Sequence, residues 1–191
     1  YNFDETIAKQ TWKSSIDNQT KSFRFTYDRS NRLVSAISGT GEDNFSIPRV
    51  SYDANGNITF LSRMAKVANG GSFLTTKIDS LDYQYFNGGN KLKTITDNAP
   101  QSALGGFKNG TNSGNDYEYY PDGKLKKDLN RNISLIQYNF LDLVSKIKFV
   151  NNDSIQYFYS STGEKRRTER TIGGQKSFTF YDGERIYTAT G

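Results

Sequence analysis

The side chains available for catalysis in this chain are carboxylates, hydroxyls and amines, because its 191 residues include neither cysteine nor histidine. This composition excludes disulfides, thiolate zinc sites, cysteine nucleophiles, Ser-His-Asp triads and imidazole metal sites. Paired carboxylates, as in glycoside hydrolysis, remain open, since 20 residues are Asp or Glu. No acidic residue stands out from the pattern of its neighbours, and no glycine-rich phosphate loop joins a strand to a helix. We therefore expect a chain without enzymatic activity, cofactor or metal site.

The most regular chemistry in the sequence is a tyrosine that precedes a polar turn. The segment YDANGNIT at 52–59 is one example, and six related stretches follow the same pattern. In four of the seven, an apolar residue lies six positions after the tyrosine. The seven anchor tyrosines are Tyr27, Tyr52, Tyr85, Tyr119, Tyr138, Tyr159 and Tyr181. The further anchor residues are Asp28, Asp53, Asp182, Gly56, Gly123 and Gly163.

The residue types at these anchors favour a structural role. The tyrosines are expected to stack across strands, and the aspartates to accept backbone N–H groups of the turns. Asp28, Asp53 and Asp182 occupy one position of the repeat, so they would form a row rather than converge on a substrate.

The segments on either side of each turn alternate apolar and polar residues, as half-buried strands do. Phe23, Phe25 and Tyr27 lie two apart before a turn, and Ile58 and Phe60 continue the period after another. A period of two on both sides of a turn predicts a hairpin, and Asn55-Gly56 is typical of a type I′ turn. The sequence thus predicts an all-β array of about seven hairpins in a laterally extended, curling sheet, with at least five anchor tyrosines on one sheet.

Two stretches interrupt the regular spacing and are predicted as long loops, near residues 61–76 and 97–116. The second is rich in Gly, Asn and Ser, which is typical of turns. Its Asp, Asn and Ser side chains could ligate calcium, but their spacing matches no EF-hand loop, so Asx-type turns are the better interpretation. Residues 1–191 are expected to form a single repeat segment. Because the chain begins YNFDETIAKQ, without Met or a signal peptide, we expect a fragment of a longer protein.

The repeated stretches resemble the YD repeats of Rhs/YD-repeat proteins, of the core type common in Bacteroidota. The resemblance extends from about Trp12 to Tyr187 and is carried by successive stretches in the family's order. These are FTYDRSNRLVSA, YDANGNIT, YQYFNGGNKLKTITD, GFKNGTNSGNDY, YEYYPDGKLKKDLNRNI, IQYNFLDLVSKIKF and IQYFYSSTGEKRR. The sequence departs from the pattern where Ser160 follows Tyr159 and where Phe86 follows Tyr85.

The resemblance implies side-by-side hairpins in a sheet that spirals into a hollow shell. Large members of the family enclose a C-terminal effector, often a toxin, and are secreted or displayed on the cell surface. The implied function is a non-catalytic shell or scaffold segment of such a protein, and the alternative is a carbohydrate- or partner-binding adhesin module. The downstream junction at which some members cleave themselves through paired aspartates has no counterpart here, so self-cleavage is not assigned.

The expected partners are flanking repeats of the same polypeptide, an enclosed effector, secretion machinery or surface glycans. The net charge of +5 would favour an acidic partner. The densest basic run is Lys165-Arg166-Arg167, for which a solvated strand face is the first interpretation and a polyanion contact the second. Nucleic acid is not expected as a partner, and no apolar run is long enough for a membrane span.

Two short motifs suggest modification. Asp79-Ser80-Leu81 and Asp153-Ser154-Ile155 resemble the Asp-Ser/Thr-apolar acceptor sites of surface-protein O-glycosylation in Bacteroidota. Ser80 and Ser154 are therefore the predicted glycosylation sites. The alternative is that both are unmodified serines at strand edges.

Overall fold

The computed structural model describes residues 2, 4–13, 15–16, 18–39, 45–100, 105–110 and 114–190. The chain divides into two compact units, Tyr1–Asn109 and Gly110–Gly191. That residues 1–191 form a single repeat segment stays a prediction. All the sheets are antiparallel, and neighbouring strands in each sheet are consecutive in the chain. The all-β hairpin fold predicted from the sequence is confirmed.

The first unit contains a three-stranded sheet and a four-stranded sheet. The three-stranded sheet has strands β1 Lys9–Lys13, β2 Thr20–Tyr27 and β3 Leu33–Ser38. The four-stranded sheet has β4 Arg49–Tyr52, β5 Ile58–Asn69, β6 Ser72–Tyr85 and β7 Leu92–Asp97, with a 3-10 turn at Phe86–Gly88. An isolated antiparallel bridge pairs Ala36 of β3 with Ile47, two residues before β4.

The second unit is one eight-stranded meander. Its strands are β8 Tyr117–Tyr119, β9 Leu125–Asp128, β10 Ile133–Tyr138, β11 Val144–Phe149, β12 Ser154–Tyr159, β13 Lys165–Ile172, β14 Gln175–Asp182 and β15 Arg185–Thr190. A 3-10 turn at Leu129–Arg131 joins β9 to β10. The register places Ile136, Ile147 and Ile155 side by side across β10, β11 and β12, so one face carries an apolar row.

The predicted loop near 61–76 is wrong, because these residues lie in β5 and β6, the longest hairpin of the chain. Gly70 and Gly71 turn the chain with φ of 54° and 86°, the pattern of a two-residue type I′ turn. Alanine and lysine are depleted in strands, so the stretch MAKVAN did not show a strand pattern. Lateral pairing and burial of Ala65 and Ile78 override that weak preference.

The second predicted loop, near 97–116, starts at the last residue of β7. Within its described residues, 98–100, 105–110 and 114–116 contain no strand. The possible calcium-binding side chains of this stretch lie partly outside the described residues. Gly106 packs so closely on β6 that an added Cβ would lie 2.2 Å from the Ile78 carbonyl oxygen.

The predicted type I′ turn at Asn55-Gly56 is also wrong. Gly56 has a φ of 86°, but Asn55 does not have a positive φ. The Gly56 N–H donates to the Asp53 carbonyl at 3.2 Å, and the Asp53 N–H donates to the Asn57 carbonyl at 2.9 Å. This is the pattern of a loop built on a type I turn followed by a left-handed residue, with a bulge in the adjoining strand pair.

The anchor tyrosines all lie at or next to the end of a strand that enters a turn. Tyr181 is the penultimate residue of β14, and the other six are each the last residue of their strands. The expectation that at least five share one sheet is wrong: the eight-stranded sheet carries four and the four-stranded sheet two. The strand ladder is interrupted after β3 and after β7, which separates the tyrosines into three sheets.

Candidate functional site

Each of the four hydrogen bonds that we call the tyrosine ladder joins one hairpin to the hairpin before it. In each bond an anchor hydroxyl donates to the carbonyl that lies six positions after the preceding anchor tyrosine. The pairs are Tyr52 to Leu33 at 2.8 Å, Tyr85 to Ile58 at 2.8 Å, Tyr138 to Leu125 at 2.9 Å and Tyr159 to Val144 at 2.8 Å. The position identified in the sequence as an apolar turn-closing residue thus supplies a backbone acceptor as well as an apolar side chain.

The tyrosine ladder lies where the backbone pairing of neighbouring hairpins stops. The paired residues of β9 and β10 are Asp128 and Ile133, so the Tyr138–Leu125 bond lies well beyond that pair, toward the turns. In β11 and β12 the pairing ends at Lys146–Gln156, before Val144 and Tyr159. The phenol therefore links the two strands where their backbone pairing has ended. It supplies a hydrogen-bond donor to a backbone carbonyl group there.

The other anchor tyrosines make different contacts. The Tyr27 hydroxyl donates to the Ile7 carbonyl at 3.1 Å, ahead of β1. Tyr181 accepts from Thr168 Oγ1 at 3.4 Å. In the hairpin of Tyr119, the adjacent Tyr120 donates forward to the Ile136 carbonyl at 2.8 Å. Tyr120 occupies the position at which three other repeats have Asp, and nothing in the sequence pattern indicated this hydrogen bond.

The residue after the anchor tyrosine organises the turn. Asp53 Oδ1 accepts from the N–H groups of Asn55 at 2.9 Å and Asn57 at 2.8 Å. Asp28 and Asn139 accept in the same way from the residues two and four positions later. Ser160, which stands where several other repeats have Asp, does so with its hydroxyl at 3.3 and 3.1 Å. Asp182 instead ends β14 and pairs with Arg185 across a two-residue turn.

The glycines of the pattern are fixed by backbone conformation. Gly56, Gly123 and Gly163 lie four positions after their tyrosines, with φ of 86°, 91° and 87°. Asn31 and Asp142 hold the equivalent left-handed position with φ of 57° and 60°. Asn and Asp tolerate this region better than most side chains. Gly, Asn and Asp can therefore each adopt the positive φ that the turn has at this position.

A second set of links, which we call the forward contacts, runs from each turn to the next one. They come from the residue five positions after the anchor tyrosine. A role for this position was not predicted from the sequence. Arg32 Nη1 donates to the Asp53 carbonyl at 3.2 Å, and its guanidinium lies 4.6 Å from the Tyr52 ring centre. Asn57 Nδ2 donates to the Gly89 carbonyl at 3.2 Å. These contacts connect three successive turns of the first unit.

The forward contacts of the second unit use different chemistry. Lys124 Nζ lies 2.7 Å from Asp142 Oδ1 in the next turn and 2.6 Å from Asp122 Oδ2 in its own turn. Leu143 packs on the following turn, since a Cβ at Gly163 would lie 3.4 Å from Leu143 Cδ1. An ion pair and an apolar contact thus replace the hydrogen bonds of the first unit at the same repeat position.

The pKa shifts of the anchor phenols and of the turn carboxylates favour the charge states that their hydrogen bonds require. Burial raises the pKa of Tyr138 above its ordinary value, with a further contribution from Tyr120, and burial also raises the pKa of Tyr159. Both phenols therefore remain neutral donors at physiological pH. The hydrogen bond from the Asn57 side chain lowers the pKa of Asp53, and the Arg32 N–H lowers that of Asp28.

Buried carboxylates form a polar network in each of the two units. In the first unit, Asp79 is fully buried, pairs with Arg63 and accepts from the Phe107 N–H at 2.5 Å. This contact holds the segment around Phe107 against β6. Arg63 and Phe107 belong to the same unit as Asp79.

The network of the second unit surrounds Asn130. Asn130 Nδ2 donates to Asp116 Oδ2 at 2.9 Å, and its Oδ1 accepts from the Gly110 N–H at 2.8 Å. Burial raises the pKa of Asp128 nearby. Within the described part of the chain, no group of three or more acidic side chains forms a metal site.

The side chains of the basic run Lys165-Arg166-Arg167 contact different neighbouring residues. Lys165 Nζ lies 5.0 Å from the Tyr157 ring centre, and the Arg167 guanidinium lies 3.9 Å from that of Phe158. Arg166 pairs with Glu164 at 2.6 Å. Lys165 Nζ also lies 5.8 Å from the Tyr181 ring centre, so the three cations contact different groups rather than one common partner.

The two predicted glycosylation serines differ in their surroundings. Ser80 lies inside β6 and is paired with Ser62 of β5, and its N–H donates to Asp97 Oδ1 at 2.9 Å. Ser154 is the first residue of β12, half-buried and beside a turn. Modification of either serine remains a prediction.

Comparisons with known proteins found remote structural likenesses. The structure titled "Crystal Structure of TcdB2-TccC3-Cdc42" aligns with a TM-score of 0.44 and 13% identity over 91% of this chain and 9% of that chain. "Crystal Structure of TcdB2-TccC3-TEV" aligns with a TM-score of 0.36 and 14% identity over 94% of this chain and 12% of that one. This chain thus spans about a tenth of the length of either. No family model and no curated protein matches it, and likenesses this remote assign neither a family nor a function.

Proposed function

We propose that this chain is a non-catalytic scaffold segment of a secreted or cell-surface protein of the Rhs/YD-repeat type. In such a protein the hairpins add side by side to build a wall, which encloses an effector belonging to the same polypeptide. The tyrosine ladder carries this proposal, because it is bonding from one hairpin to the next that recurs at a fixed repeat position. A repeat array needs such nearest-neighbour bonds, since each unit buries little apolar surface alone.

The absence of converging chemistry at the anchors supports a non-catalytic role. Asp28, Asp53 and Asn139 each direct one side-chain oxygen to backbone N–H groups of their own turns. No helix in the described ranges is long and apolar enough to cross a membrane.

The proposal is tested by limited proteolysis of the natural full-length polypeptide. The double variant Tyr138→Phe/Tyr159→Phe removes two bonds of the ladder and keeps both rings. We expect it to expose the flanking and enclosed sequences to protease at lower protease concentrations than the parent requires. Tyr187→Phe, at an exposed tyrosine of β15, is the matched control. Equal digestion of all three proteins would contradict an enclosing role.

A second candidate function is carbohydrate binding as an adhesin module, favoured by one aromatic surface. Trp12 and Phe23 are stacked with ring centres 5.9 Å apart and planes within 7°, and Phe25 continues the row at 6.1 Å from Phe23. Trp12 is 39% exposed. Aromatic planes of this kind can stack on sugar rings. Calorimetric titration with neutral hexose oligosaccharides tests this function, with Trp12→Ala expected to abolish the binding.

A further inference from the structure

An open depression on the second unit combines an apolar floor with two guanidinium groups. Its volume is about 720 Å³, within the range of small-ligand sites. The apolar lining comes from Phe149, Val150, Ile155 and Ile172. Val150 and Ile172 are 58% and 60% exposed, so large apolar side chains remain open to solvent there. The hydrophobic effect favours covering such a surface with an apolar group.

Arg131 and Arg170 lie on the lining of the same depression. Arg170 Nη1 donates to Thr179 Oγ1 at 3.3 Å, and within the described ranges no carboxylate pairs with it. Arg131 has a side chain 81% exposed and lies 3.7 Å from Asp128 Oδ2, a long contact for an ion pair. Both guanidinium groups therefore retain donors for an anion.

The carboxylate of Asp153, also on the lining, is already occupied by the protein. Its Oδ1 accepts from the Gly173 N–H at 2.8 Å, and its Oδ2 accepts from Asn151 Nδ2 at 2.8 Å. The lining thus carries two cations against one anion whose oxygens are both hydrogen-bonded. This balance favours an anionic ligand over a cationic one.

We propose that this depression binds the C-terminal residue of a polypeptide that ends in a large apolar side chain. The side chain would cover Ile155, Ile172 and Val150, and the free carboxylate would accept from Arg131 and Arg170. Arginine suits this role because its planar fork matches the geometry of a carboxylate. Asn132 lies on the same lining, and its side-chain amide would contact the preceding peptide group. The proposal does not depend on the proposed scaffold function.

The test uses N-acetylphenylalanine as the probe and the 191-residue chain, followed by NMR chemical-shift titration. N-acetylphenylalaninamide lacks the charge, and N-acetylglycine lacks the apolar side chain. We expect the carboxylate to bind about fivefold more tightly than the amide, the upper range for an exposed ion pair. N-acetylglycine is expected to bind too weakly to saturate. The shifted amides are expected to be those of residues 131–132, 149–155 and 170–172.

Variants separate the two parts of the site. Arg170→Gln is expected to remove the preference for the carboxylate, while the control Arg166→Gln, on the same strand but paired with Glu164, retains it. Ile172→Ser is expected to weaken both probes alike, while Ile186→Ser, 65% exposed on β15, has no effect. Equal affinity for acid and amide, shifts that map elsewhere, or an unchanged preference in Arg170→Gln would overturn the proposal. Circular dichroism melting of each variant verifies that it is folded.

Discussion

The Tyr138 hydroxyl donates a hydrogen bond at 2.9 Å to the Leu125 carbonyl, which belongs to the preceding hairpin. The backbone pair of these two neighbouring strands lies at Ile133–Asp128, so the side chain extends their association toward the turns. Tyr120 meets the Tyr138 ring edge-on at 6.1 Å and donates in the opposite direction, to the Ile136 carbonyl. Each of the two adjacent hairpins thus supplies one phenol that donates to a backbone carbonyl of the other.

Removing the Tyr138 hydroxyl should weaken the second unit without disturbing its packing. Tyr138→Phe retains the ring and leaves the Leu125 carbonyl without this donor. A net loss of about 0.5–1.5 kcal/mol in the free energy of unfolding is expected for one neutral hydrogen bond. Urea denaturation measures the loss, and Tyr187→Phe on β15 serves as the control, with no change expected. Equal stability of Tyr138→Phe and the parent would show that the bond adds nothing.

The raised pKa values of Tyr138 and Tyr159 predict sensitivity to alkali. A phenol whose pKa is higher in the folded state than in the unfolded state contributes its full stability below the unfolded value, about 10. That stability is lost as the pH rises through the folded value. We expect the melting temperature to fall above about pH 10, and to fall less steeply in Tyr138→Phe/Tyr159→Phe. A parallel decline in both proteins would assign the alkaline loss to other groups.

The strands that flank the anchor tyrosines and the positions of their turns were predictable because their signals are local, whereas most of the β5–β6 hairpin was not. The period of two before Tyr27 and the polar turn after it both lie within a few residues. The acceptors of the tyrosine ladder lie 13 to 27 residues away in the chain, and they depend on which strands pair. No local pattern specifies them.

The forward contacts could not be found for a different reason. Arg32, Asn57, Lys124 and Leu143 share a repeat position but no chemical type, so no motif marks it. The turn geometry was missed because Asn-Gly suits two kinds of loop. The register around Tyr52 and Ile58, with its bulge, decides between them.

The equivalence of Asp53 and Ser160 predicts how the turns tolerate substitution. Both side chains accept the N–H groups two and four positions later. Asp53→Ser is therefore expected to retain more stability than Asp53→Ala, because the hydroxyl can replace the carboxylate as acceptor. Thermal melting at pH 7 ranks the variants. Equal melting temperatures for the serine and alanine variants would show that this acceptor does not stabilise the turn.

The buried ion pair of the first unit should be sensitive to loss of its anion. Asp79→Ala leaves Arg63 without its carboxylate and the Phe107 N–H without its acceptor. Breaking a buried pair typically costs about 3–5 kcal/mol, and the partly exposed Arg63 places this case at the lower end. Asp82→Ala, at an exposed residue of the same strand, should cost about 1 kcal/mol or less. Similar losses in the two variants, measured by urea denaturation, would contradict a special role for Asp79.

The close approach of Gly106 to β6 predicts that even a methyl group will displace its segment. A Cβ there would lie 2.2 Å from the Ile78 carbonyl oxygen and 2.9 Å from Asp79 Oδ1, so the backbone must move away. Gly106→Ala is expected to cost about 1–3 kcal/mol, as overpacking does. It should also speed hydrogen exchange at the Phe107 amide, which donates to Asp79. Gly89→Ala, whose added Cβ would lie 3.3 Å from the Phe86 carbonyl oxygen, is the milder control. Unchanged exchange at Phe107 in Gly106→Ala would mean that the segment keeps its contact with β6 without a glycine at this position.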